Sequence, residues 1–162
     1  MVDWVKKITR AEGDAIAADE ELVAGVFAHP AGGFARQVAG GAVGGVIGAM
    51  TAEAMAAKRA GAHDGADEQG MASAFPGERT VLGLTARRLL VFGHSQFSGK
   101  PKDLKAEFAV TDLDDVLIEK KKLSHRMVVT FTDGSLVDLD VPRMGGDAES
   151  FKAAFDRVKG RA

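Results

Sequence analysis

The residue types that carry most protein chemistry are present in this chain, but their spacing does not gather them. The four histidines, His29, His63, His94 and His125, fall about thirty residues apart, with no i, i+4 pair to share a metal ion. Asp112, Asp114 and Asp115 form an acidic cluster, yet no glycine follows at EF-hand spacing and no glutamate closes the loop. There is no cysteine, which excludes disulfides, thiolate metal sites and a cysteine nucleophile. GGAVGGVIG, from Gly40, has the wrong spacing for a dinucleotide turn, and neither a GxxxxGK[ST] loop nor a GxSxG elbow occurs. The expectation is a non-enzymatic protein with no cofactor and no metal.

Charge is more informative. The segment Glu119–Arg126, EKKKLSHR, places Lys120, Lys121, Lys122 and Arg126 at a hairpin, and Arg87 and Arg88 occupy a second turn. Loops of a small barrel gather at one rim. These six residues therefore read as a basic rim for anionic lipid or another phosphate-bearing ligand, at roughly 1 kcal/mol per basic residue near an anionic surface. The competing reading is a solvated hairpin kept charged against edge pairing. With a formal net charge of -2, no global basic field argues for nucleic acid.

These residues need elements to hold them. At 162 residues the chain has room for one domain and an appendage. Asp3 can cap a short helix with Trp4, Val5 and Ile8 on one face, to be docked on the domain or laid on a membrane surface. We read it as docked. The start, MVDWVKKITRAEGD, has no apolar run behind its basic residues and does not read as a secretory signal. The expected address is cytoplasmic, at most peripheral to the inner face of the membrane. Glu20–Ala28 fits a helical stripe or an alternating strand, and His29-Pro30 favours a first strand that ends there.

The glycines are concentrated. Of 20 in the chain, five fall in FARQVAGGAVGGVIGAM from Phe34. As a helix, Gly40, Gly44, Gly48 and Ala52 lie on one i, i+4 ridge, with Gly41 and Gly45 beside it. Such a ridge lets two helix backbones approach closely. Five interior glycines cost about 4–5 kcal/mol of helix stability against alanine, so packing or lipid must offset them. The uncharged run Val38–Ala52 gives about 22 Å of helix against a hydrocarbon core of about 30 Å. A simple span is marginal, and an intermolecular or re-entrant glycine-packed hairpin is at least as well supported. A flexible insertion, or a helix folded onto its own domain, competes evenly with both.

From Ser73 the chain is regular. Thr80–Leu84 and Arg88–Phe92 read as strands, His94–Lys105 as a loop, then Glu107–Val110 and Val116–Lys120 as short strands. Met127, Val129 and Phe131 alternate, Asp133-Gly134 turns the chain, and Val137, Leu139 and Val141 follow with Asp138 and Asp140 on the exposed face. Asp147 can cap a last helix with Phe151, Ala154, Phe155 and Val158 as its apolar stripe.

LGLTARRLLVF at Leu82–Phe92, VTFTDGSLVDLDVP at Val129–Pro142 and the helix through Phe151 and Phe155 resemble the pleckstrin-homology superfold, in its bacterial PH-like and GRAM-like branch. The resemblance covers about Ser73–Lys159. It implies a mainly β fold with α: an antiparallel barrel or sandwich capped by a C-terminal helix, here with a Gly/Ala-rich helix inserted near the N-terminus. No basic loop of the phosphoinositide-binding type lies between early strands, so the ligand stays open.

The expected organisation is an amphipathic helix and linker over 1–19, a first strand in 20–31, the glycine-rich helix and flexible return over 32–72, and a PH-like domain over 73–162. The expected function is an adaptor or scaffold that self-associates, or associates with membrane, through the glycine ridge. Its partners would be further copies, an anionic membrane surface or another protein. A soluble lipid- or phosphate-binding module, with the helix folded back on the barrel, is the alternative.

Overall fold

A computed structural model describes residues 2–31 and 69–161. The glycine ridge, Gly40, Gly41, Gly44, Gly45, Gly48 and Ala52, lies outside the described residues, as do His63 and most of the return tract.

The chain begins with α1, Trp4–Glu12, where the Asp3 carboxylate accepts the Lys6 N–H at 3.0 Å and satisfies one free end of the helix. Seven strands follow: β1 Leu22–Pro30, β2 Thr80–Thr85, β3 Arg88–His94, β4 Pro101–Ala109, β5 Leu113–Lys120, β6 Ser124–Phe131 and β7 Leu136–Pro142. The last element is α2, Ala148–Val158, capped by Asp147 through the Ser150 N–H at 3.0 Å. The strands form one antiparallel sheet in the order β4-β3-β2-β1-β7-β6-β5.

The joint is inside β1. Its residues Leu22–Ala28 pair with β2, and His29 and Pro30 pair with Asp140 and Leu139 of β7. The Asp133-Gly134 hairpin forms as expected, with Gly134 at φ 88°, a conformation glycine adopts without strain. Val129, Phe131, Val137, Leu139 and Val141 all face a core closed by Phe151 and Phe155 of α2.

A second apolar cluster lies under α1, which docks on the domain as expected. Trp4 and Ile8 pack on Leu22, Val81, Leu90 and Phe92, and Trp4 stacks on Phe27 with ring centroids 5.9 Å apart. Strands β2 and β3 are thus buried on both faces. That explains why TVLGLT and RLLVF read as continuous apolar runs with little alternation.

Three expectations need correction. Among the described residues the sheet does not close into a barrel: β4 and β5 are its edges and no ladder joins them, while α2 packs against β5, β1 and β2. Irregular pairing of β3 with β4, and a positive φ at Asp103, fit a charged edge strand. The stretch His94–Lys105 is not all loop, since β4 begins at Pro101; Lys102, Asp103, Leu104 and Lys105 are exposed and show no alternation to betray a strand. Asp138 and Asp140 are not on an exposed face; they are only 2% and 7% exposed.

Gly25 sits where a Cβ would lie 2.9 Å from the Trp4 Cβ, so only glycine lets α1 approach this closely. Gly25→Val is expected to lift α1 from the sheet. Trp4 is the single tryptophan, so its emission should move to the red while the strand signal in circular dichroism is kept. An unchanged emission maximum would show that α1 does not depend on this gap.

Candidate functional site

The cations picked out from the sequence sort into two groups once their partners are seen. At the β2–β3 turn, the Thr85 hydroxyl accepts the N–H groups of Arg87 and Arg88 at 3.1 and 3.0 Å and donates to Glu20 at 2.8 Å. The Arg88 guanidinium then grips the same carboxylate, from Nε at 3.1 Å to each oxygen and from its terminal nitrogen at 2.7 Å. It also donates to the Ala15 carbonyl at 2.8 Å and pairs with Glu107. Arg87 pairs with Asp19. Both arginines are taken up in tying the lead into β1 to the β2–β3 turn, and Arg88 reaches β4 as well. The Glu20 side chain is only 4% exposed. Hydrogen bonding from Arg88 outweighs its burial and holds its carboxyl down at about 2.

Arg126 is also committed. Its Nε donates to both Asp138 oxygens at 3.0 and 3.1 Å and a terminal nitrogen to Oδ2 at 2.7 Å, with Glu119 as a further partner. Here lies the reason that Asp138 is buried: a bidentate arginine replaces water around its carboxylate. Register aligns Glu119, Arg126, Asp140 and His29 in one row across β5, β6, β7 and β1. Burial first, then the charges of Arg79 and His94, push His29 down to about 4, so it is neutral near pH 7. Burial and Arg79 lower His94 as well.

Lys120, Lys121 and Lys122 come together at the end of the β5–β6 hairpin. In the sheet order, β1 and β7 separate this hairpin from the one carrying Arg87 and Arg88. Lys120 pairs with Glu149 at 3.0 Å. Among the described residues, Lys121 and Lys122 have no ion pair. The turn after β7 braces the tip: Arg143 donates its N–H to the Leu123 carbonyl at 3.5 Å and its guanidinium to the Lys121 carbonyl at 3.1 Å. The sequence reading missed Leu123, Arg143 and Met144 here. The available signal was an apolar residue inside a run of cations.

Sequence reasoning also missed a cavity of about 270 Å³ beside the β3–β4 turn, lined by His94, Gln96, Phe97, Lys102, Asp103 and Lys105 among others. Its charges are of both signs. Among the described residues, no three His, Asp or Glu side chains are placed to hold a metal ion, and no helix is long and apolar enough to cross a membrane.

The two largest of these depressions, at His29 and Glu20, dominate the acid-stability profile. Between pH 6.5 and about 4 the unfolded chain protonates His29 while the folded chain resists, so stability is full above 6.5 and falls as the pH drops toward 4. Glu20 adds a second loss between its ordinary 4.5 and about 2, because folding favours the carboxylate. Chemical denaturation across this range should show both steps. His29→Gln should shrink the upper one to the share that His94 contributes, and Glu20→Gln should shrink the lower; a wild-type profile flat from pH 7 to 4 contradicts the His29 assignment. Compared with known proteins, the chain matches no family model and no curated protein.

Proposed function

We propose that this chain is a non-enzymatic adaptor of PH-like architecture, which presents hairpin ends to a partner and self-associates through the segment carrying Gly40, Gly44 and Gly48. The observation that carries the reading is the strand arrangement itself. Seven antiparallel strands share β1 between two half-sheets, and a single C-terminal helix covers the core between them. Such a framework fixes hairpin ends rigidly while leaving them outside the core, which suits recognition. Fold alone assigns no activity, so the weight falls on the surfaces it presents.

The assembly half rests on the sequence pattern. The five glycines of this segment cost about 4–5 kcal/mol in an isolated helix, and close packing of backbones along the i, i+4 ridge is what recovers it. The alternative, a module that binds a lipid or phosphate ligand as a monomer, is favoured by the unpaired Lys121 and Lys122.

Gly44→Leu separates the two. It places a large side chain on the ridge and is expected to lower the mass seen by light scattering from an oligomer to the monomer, with the circular dichroism of the sheet unchanged. A wild-type chain that is monomeric at tens of micromolar, or a variant of unaltered mass, contradicts the assembly reading.

A further inference from the structure

The geometry points to the β5–β6 tip, together with the turn after β7, as a surface that docks on a bilayer containing anionic lipid. This inference rests on the adaptor reading and supplies its partner.

Two observations carry it. Leu123 is 60% exposed and Met144 83% exposed. The segments that bear them are held side by side by the bonds from Arg143 to the Leu123 and Lys121 carbonyls. Two uncovered apolar side chains therefore project from one braced hairpin end. The cations nearest them are left without ion pairs: Lys121, Lys122 and Arg143 have no acidic partner among the described residues, whereas each nearby acid is engaged. Glu149 holds Lys120, Glu119 holds Arg126, and Asp147 accepts from Ser150 at the start of α2.

A hairpin end is convex, so it offers insertion into a soft surface and no concave seat for a folded partner. At a bilayer, Leu123 and Met144 leave water among the headgroups, and the lysine and arginine stems let their charges reach the phosphate layer. Each cation near an anionic surface is worth about fivefold in partitioning. The two apolar side chains add a contribution that salt does not screen.

The test is co-sedimentation of the full chain with vesicles of phosphatidylcholine alone or of equimolar phosphatidylcholine and phosphatidylglycerol. Binding is expected to the second only, and to weaken with salt. K121Q/K122Q should lower the partition coefficient about 25-fold. L123A/M144A should lower it tenfold or more and leave a larger share of what remains sensitive to salt. All four side chains are outside the two apolar clusters, so circular dichroism should match the wild type. Wild-type binding equal on both vesicles, or no binding, overturns the proposal. So does binding unchanged in both variants, which would place the contact elsewhere, or binding lowered by the lysine changes alone, which would make it an electrostatic encounter without insertion. Competition by soluble glycerol phosphate would identify a free phosphate site and equally overturn it. Light scattering on the same samples keeps the readings apart: tip variants that lose vesicles but keep the wild-type mass leave self-association untouched.

Discussion

One strand has to serve two half-sheets, and the rest of the molecule is arranged around that. Leu22–Ala28 bond to β2 and His29–Pro30 to β7, so among the described residues β1 alone joins β4-β3-β2 to β7-β6-β5. Pro30 offers no N–H at the handover, and the Ala31 N–H takes over, donating to the Asp138 carbonyl at 2.9 Å. Both helices lean on the same strand. On one face Gly25 admits α1 and Phe27 stacks on Trp4; on the other, Ala24, Val26 and Ala28 join the core that α2 closes. Small residues at Ala24, Gly25 and Ala28 are what keep β1 thin enough to lie between two helices.

Ion pairs secure what the ladders leave loose. Glu20 and Arg88 tie the lead into β1 to the β2–β3 turn, Arg126 and Asp138 span β6 and β7, and Lys152 and Arg161 both reach Asp115 from the C-terminal end. Of these, the Glu20 and Asp138 carboxylates are buried, and such pairs add little net stability over apolar residues of the same size. Removing one partner is what costs, about 3–5 kcal/mol, because it strands a charge. Their contribution here is to geometry: the Glu20 and Asp115 pairs fix segments far apart in sequence, and Arg126 with Asp138 braces one hairpin.

That separation is also why the sequence revealed some of this and not the rest. Strands β2, β3, β6 and β7 were legible because their apolar patterns and the Asp133-Gly134 turn are local signals. The caps Asp3 and Asp147 were legible for the same reason. The first part of strand β4 was not, since an edge strand with Lys102, Asp103 and Lys105 exposed has no apolar period to show; only its end, from Glu107, read as a strand. Alternation placed Asp138 on the face opposite Val137 and Leu139, which is right. It could not show that this face is covered, because the covering group is Arg126 on another strand. Arg88 read as part of a rim for want of Glu20, its partner 68 residues away.

The remaining cations are not explained by stability. Charge near a sheet edge commonly prevents strands of separate molecules from pairing, and β5 is an edge. That role requires charge along the open side of the strand. The last paired position of the hairpin is Lys120 with His125, so Lys121, Lys122 and Leu123 lie beyond the ladder, where there is no row of backbone groups to protect. An exposed leucine at that point works against edge protection, since it adds apolar surface at the place most open to contact. Nor do Lys121 and Lys122 brace the fold through ion pairs, as Arg88 and Arg126 do. A tip with cations left over and apolar side chains uncovered makes physical sense when something anionic, with an apolar layer beneath it, completes the contact.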